Sequence, residues 1–120
     1  MAKFMFLYRG GEEAESAMSP EEMQQVLGSW MEWIGASCKA GWMVQPGEGL
    51  MPTGAVVRAD GSVTDGPFAE SKELVGGYSV VEAADVKAAA ALTKGCPIFQ
   101  VGGAVEVREV AVYDMPEGGA

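Results

Sequence analysis

The chain has 120 residues, 48% hydrophobic and 21% charged, with a formal net charge of -9 and no histidine. That is enough chain for one domain with its own core. The acidic balance argues against nucleic acid and anionic membrane surfaces, and the missing histidine removes the usual neutral-pH acid/base and the commonest metal ligand.

Lys3 to Arg9, KFMFLYR, is a compact apolar run with aromatics and predicts a first strand. It is too short for a signal-peptide core or a membrane span, and no later stretch reaches 18 apolar residues, so a cytoplasmic protein is expected. Gly10 to Ala17 is acidic and predicts a loop. Ser19-Pro20-Glu21-Glu22 is a helix start: Ser19 is the N-cap, Pro20 takes the first helical position, and Glu22 completes a capping box. Met23, Val26, Leu27, Trp30 and Ile34 then fall on one arc, with Glu21, Gln25 and Glu32 opposite, over a helix reaching about Lys39 and ended by Gly41. Trp30 reads as core packing ahead of ligand stacking.

Trp42 to Pro52 suggests a second strand broken by Pro46 and Gly47. A hairpin follows, Ala55 to Arg58 and Val63 to Asp65 around Asp60-Gly61. Gly77 to Ala83 reads as a strand, and Asp85 to Lys94 as a helix without a strong N-cap, stopped at Gly95-Cys96-Pro97. Ala104 to Tyr113 is the last strand. Residues 1–114 are expected to form the domain and residues 115–120 a loose tail. Cys38 and Cys96 fit a reducing compartment and make no metal spacing. They are expected at opposite ends of the helix layer, too far apart for a disulfide.

The order β-α-β-(hairpin)-β-α-β predicts a ferredoxin-like α+β sandwich with an inserted hairpin. The first and last strands carry apolar residues at both parities, so both faces of the sheet need cover. Two helices cover one face. A second copy of the chain is the simplest cover for the other, which predicts a homodimer.

The stretch from Thr64 to Tyr78, TDGPFAESKELVGGY, is the candidate site. A two-residue Asp60-Gly61 loop would pair Ala59 with Ser62, Arg58 with Val63, Val57 with Thr64 and Val56 with Asp65. Arg58 and Asp65 then share one side as diagonal neighbours. Gly66-Pro67 turns the chain, Phe68 anchors the loop, and Glu70, Lys72 and Glu73 follow on an exposed segment. On the last strand Glu106 and Arg108 share a face by period two. Arg58, Asp65, Glu106 and Arg108 are therefore expected to line one polar pocket for a small anion or a polar aromatic. Asp65 and Glu106 are the candidate catalytic carboxylates. The same residues also fit a structural turn and a structural ion pair.

DGPFAESKE, followed by GGY and later by EVREV, resembles the YCII-related family in its DGPF-domain branch. The likeness runs from FMFLY through SPEEM, GEGLMPTGAVVR and CP to VEVREV. It implies a dimeric α+β barrel in which two ferredoxin-like sheets face each other, and a small organic acid or aromatic ligand. It also implies a link to sigma-factor pathways, and lyase or isomerase chemistry in some relatives. The His-Asp pair of those relatives does not carry over. Asp65 does, together with Gly66, Pro67, Phe68, Glu70, Lys72 and Glu73. No cofactor is expected. The competing readings are a lyase or isomerase acting through carboxylates on a small anionic or aromatic substrate, a non-catalytic binding module in a sigma-factor-linked pathway, and a loop that only builds the dimer.

Overall fold

The computed structural model describes residues 1–66 and 73–113. Among these residues six strands, three α-helices and a 3-10 turn follow in the order β1 (Ala2–Arg9), α1 (Glu12–Ser16), α2 (Pro20–Lys39), β2 (Met43–Gln45), β3 (Gly54–Val57), β4 (Val63–Gly66), β5 (Val75–Ala83), α3 (Val86–Ala91), the 3-10 turn Pro97–Val101 and β6 (Ala104–Glu109). The main sheet runs β2-β5-β1-β6, antiparallel at every joint. That is the ferredoxin-like order, with β3 and β4 inserted as a separate two-stranded sheet. The expected α+β architecture is present.

The core lies on one face of the sheet. Phe4, Phe6 and Tyr8 point the same way from β1 and are buried, beside Met43, Val81 and Ala83. Val26, Trp30, Trp33, Ile34 and Cys38 of α2 pack against them, as do Ala88 and Ala89 of α3 and Ile98 and Val101 of the 3-10 turn. Rings join the two layers: Tyr8 meets Trp30 edge-on at 4.8 Å, and Trp33 meets Trp42 at 6.0 Å. Such pairs contribute about 0.5–1.5 kcal/mol each beyond their buried area. The second face carries Met5 and Leu7, opposite Val80 and Tyr78 of β5.

The helix start at Ser19 is as read from the sequence. Ser19 Oγ accepts from the Glu22 amide at 3.1 Å, and Glu22 Oε1 accepts from the Ser19 amide at 3.1 Å. Gly41 follows the C-cap with φ +92. Four local expectations change. Gly10 to Ala17 contains α1, because three glutamates in its first turn favour the positive end of a helix. Asp85 is a working N-cap, its Oδ1 accepting from the Ala88 amide at 2.8 Å, and α3 stops at Ala91, short of Lys94. β6 ends at Glu109, short of Tyr113, and Val112 beyond it is 94% exposed. Cys38 and Cys96 are both free, in line with the expectation of no disulfide; Cys96 lies in the buried core cluster and Cys38 packs against it.

The hairpin register is a correction. Val57 pairs with Val63, Val56 with Thr64, Ala55 with Asp65 and Gly54 with Gly66. The Arg58 amide donates to the Ser62 carbonyl at 2.9 Å, and the Gly61 amide donates to the Arg58 carbonyl at 2.9 Å. Gly61 has φ +86, while Asp60 keeps a negative φ, because among the described residues no non-glycine residue has a positive φ. The loop is therefore the three-residue form, a turn closed by one left-handed glycine, in place of the two-residue form that needs two. Asp60 spends its side chain accepting from the Ser62 amide at 2.9 Å. One residue of slip moves Arg58 and Asp65 to opposite faces.

Candidate functional site

A cavity of about 740 Å³ opens between α2 and the segment that follows β2. Leu27, Trp30, Met31 and Ile34 of α2 form one wall. Pro46 to Leu50 and Pro52 form the opposite wall. Tyr8, Leu74, Gly76 to Tyr78 and Ile98 complete it, and Glu12 and Glu15 of α1 stand at one side.

The second wall exists because the chain after β2 keeps tracking along β5 without forming a regular strand. The Tyr78 amide donates to the Glu48 carbonyl at 3.1 Å, and the Leu50 amide donates to the Gly76 carbonyl at 2.8 Å. Gly47 makes the close approach possible. Its φ is +74, and a Cβ there would run into the Tyr78 carbonyl. From the other side, Ser79 Oγ donates to the Pro46 carbonyl at 2.7 Å and accepts from the Tyr8 hydroxyl at 2.8 Å.

The first wall comes from the helical stripe. Met31 lies four residues from Leu27 and widens it, so the helix carries more apolar surface than the sheet covers. Leu27 remains 56% exposed and Met31 76% exposed. Trp30 has two roles: its edge contact with Tyr8 fixes it in the core, and its remaining surface faces the cavity. Reading this stripe as core is what hid the cavity in the sequence. The available signal was an apolar stripe wider than two helices and a sheet could cover, next to a Gly- and Pro-rich segment.

The electrostatics of the cavity are acidic. Glu12, Glu15 and Glu48 are its ionisable carboxylates, and among the described lining residues there is no Lys or Arg. Desolvation pushes the Glu12 carboxyl up from its ordinary value, and the neighbouring Glu15 charge adds to this. Burial also pushes the Tyr8 phenol up, which the hydrogen bond to Ser79 partly offsets.

The residues read from the sequence fall in three places. Arg58 and Asp65 lie on opposite sides of the β3–β4 ribbon, both exposed. Gly66 ends β4 against Val56, and Glu73 is exposed just before β5. Glu106 and Arg108 do come together: Arg108 Nη1 donates to Glu106 Oε2 at 3.3 Å. Arg9 joins them, its Nη1 lying 3.6 Å from Glu106 Oε1. This trio sits on the second sheet face, where Arg9 Nε is buried without a hydrogen-bond partner. None of Arg58, Asp65, Glu106 and Arg108 lines the cavity. Pro67, Phe68, Glu70 and Lys72 lie outside the described residues. Among the described residues no group of His, Cys, Asp or Glu is placed to hold a metal ion. Nor is any described helix long and apolar enough to cross a membrane.

This sheet order, together with an aromatic-walled cavity beside the central strands, defines a ferredoxin-like α+β protein with an open cavity between its long helix and the segment after β2. The sequence model of the YCII-related domain matches residues 2–114, and the chain belongs to that family. No curated protein matches the chain.

Proposed function

We propose that the protein binds a small, largely apolar organic molecule in the cavity between α2 and the Pro46–Pro52 segment. The observation that carries this is the cavity itself. Its volume of about 740 Å³ falls within the range of ligand pockets, and its walls are Leu27, Trp30, Met31, Ile34 and Leu50 with few polar groups between them. The carboxylates considered for catalysis, Asp65 and Glu106, lie off its walls. Binding without chemistry is therefore the reading we adopt. It is compatible with a sensing role in a sigma-factor-linked pathway and with membership of the DGPF branch. A cytoplasmic location fits two free thiols.

We further propose that two copies pair through the second sheet face. Met5, Leu7, Tyr78 and Val80 lie there, while the helices are gathered on the other face. The half-buried Arg9–Glu106 pair, with the exposed Arg108 beside it, would sit at the edge of that contact.

A thermal-shift screen of the purified protein against small aromatic and alicyclic compounds tests the binding reading. A ligand at a hundredfold excess over its Kd stabilises by about 2.7 kcal/mol. Trp30→Ala should abolish the shift for any hit. A hit whose shift survives that change binds elsewhere. Sedimentation analysis tests the pairing, and a monomer at micromolar concentration would end it.

A further inference from the structure

The cavity has a charge sign as well as a shape, and this narrows the class of ligand. Three carboxylates border it and, among the described residues, no cationic side chain does. Arg9 and Arg108 are engaged with Glu106 on the far face of the sheet. Arg58 stands on the inserted hairpin, outside the cavity lining. An anionic ligand would enter against Glu12, Glu15 and Glu48 with no cationic side chain among the described lining residues to neutralise it. Glu12 and Glu15 are half-buried on α1, where desolvation, with the neighbouring Glu15 charge adding to it, makes ionisation of Glu12 less favourable. A cation placed between them would relieve that repulsion. Aromatic rings strengthen the same preference. Trp30 and Tyr8 line the cavity at a centroid distance of 4.8 Å from each other, and ring faces attract cations.

We propose that the ligand is a lipophilic cation, an aromatic or alicyclic amine whose ring lies along Trp30 and Leu27 and whose ammonium group faces Glu12 and Glu15. This rests on the reading of the cavity as a small-molecule site. The α1 carboxylates supply charge complementarity, and the α2 stripe supplies apolar contact. The ammonium retains contact with solvent, because Glu12 and Glu15 are only partly covered. It thus avoids the full cost of burying a charge.

Three probes of one skeleton separate the two levels of the claim: 3-phenylpropylamine, 3-phenylpropan-1-ol and 3-phenylpropionate, titrated into the protein by calorimetry at neutral pH. The amine should bind at least about tenfold more tightly than the carboxylate, with the alcohol between them. The preference should shrink as salt rises. In the double variant Glu12→Gln, Glu15→Gln the amine should fall to the level of the alcohol, while alcohol binding persists and reports an intact site. Alcohol binding with no preference for the amine, or with the carboxylate bound best, overturns the charge assignment and leaves the cavity reading standing. Alcohol binding that survives Trp30→Ala overturns the cavity reading. Absence of binding by all three probes overturns both.

Discussion

The Tyr8 hydroxyl donates to Ser79 Oγ at 2.8 Å, joining two residues 71 positions apart. In the β1–β5 register Tyr8 stands opposite Gly77, so Ser79 is its diagonal neighbour on the same face. Ser79 is fully buried and passes its own hydrogen to the Pro46 carbonyl. One hydroxyl thus ties the central strand to the wall of the cavity. Ser79→Ala leaves a buried donor, the Tyr8 hydroxyl, and a part-buried acceptor, the Pro46 carbonyl, without their partner, and should cost about 1–3 kcal/mol in chemical denaturation. Tyr8→Phe should cost less, about 1 kcal/mol, because Ser79 keeps its acceptor. Equal costs would show that the Pro46 bond contributes nothing.

Gly47→Ala should be among the more damaging single-methyl additions in this protein. The left-handed backbone alone costs about 1–3 kcal/mol for a residue with a side chain, and here the added methyl also meets the Tyr78 carbonyl. The wall can yield only by moving off β5. Loss of stability should therefore come with loss of ligand binding. An unchanged melting temperature would mean the segment is not held against β5 in solution.

Arg58 and Asp65 should behave independently. They face opposite sides of the hairpin and both are exposed. Arg58→Gln and Asp65→Asn should each change stability by less than about 0.5 kcal/mol. The double variant should show coupling within about 0.3 kcal/mol of zero. A coupling above about 1 kcal/mol would restore the shared-face register.

The capping box carries a pH dependence whose sign can be worked out. The hydrogen bonds from Ser19 hold the Glu22 carboxyl below its ordinary value. Its contribution is then complete above the unfolded-state value and is lost as pH falls through the folded one. Glu22→Gln should flatten the melting-temperature profile in the acid range below about pH 5 and leave neutral pH little changed. Ser19→Ala should cost about 1 kcal/mol at neutral pH. A parallel acid profile in Glu22→Gln would assign the acid loss to other carboxylates.

The two thiols should differ in reactivity. Burial pushes the Cys96 thiol up to about 11, partly offset by a hydrogen bond from the Ile98 amide. At pH 8 it is almost wholly protonated, and the thiolate is the reactive form. Iodoacetamide should modify Cys38, which is half-buried, well before Cys96. Mass spectrometry of the time course checks the order, and early labelling of Cys96 would contradict its burial.

The elements with local causes were legible from sequence. The Ser19–Glu22 box, the stop at Gly41 and the apolar run of β1 each depend on residues within a turn or a strand of one another. Together they set the ferredoxin-like order, and the YCII-related resemblance agreed with it. The hairpin register turned on whether Asp60 would adopt a positive φ as Gly61 does, which side-chain types leave open. A single peptide's conformation there decided which residues share a face. The cavity was further from view. Its walls are α2 and a segment held against β5 by Glu48 and Leu50 with Gly47 in close approach, and they meet only after both have packed on the sheet. Periodicity marked Leu27 and Trp30 as apolar but carries no term for how much of that surface the sheet will cover. Sequence determined which faces seek burial; the tertiary packing decided which of them stay open, because the area one layer offers another depends on where the layers end.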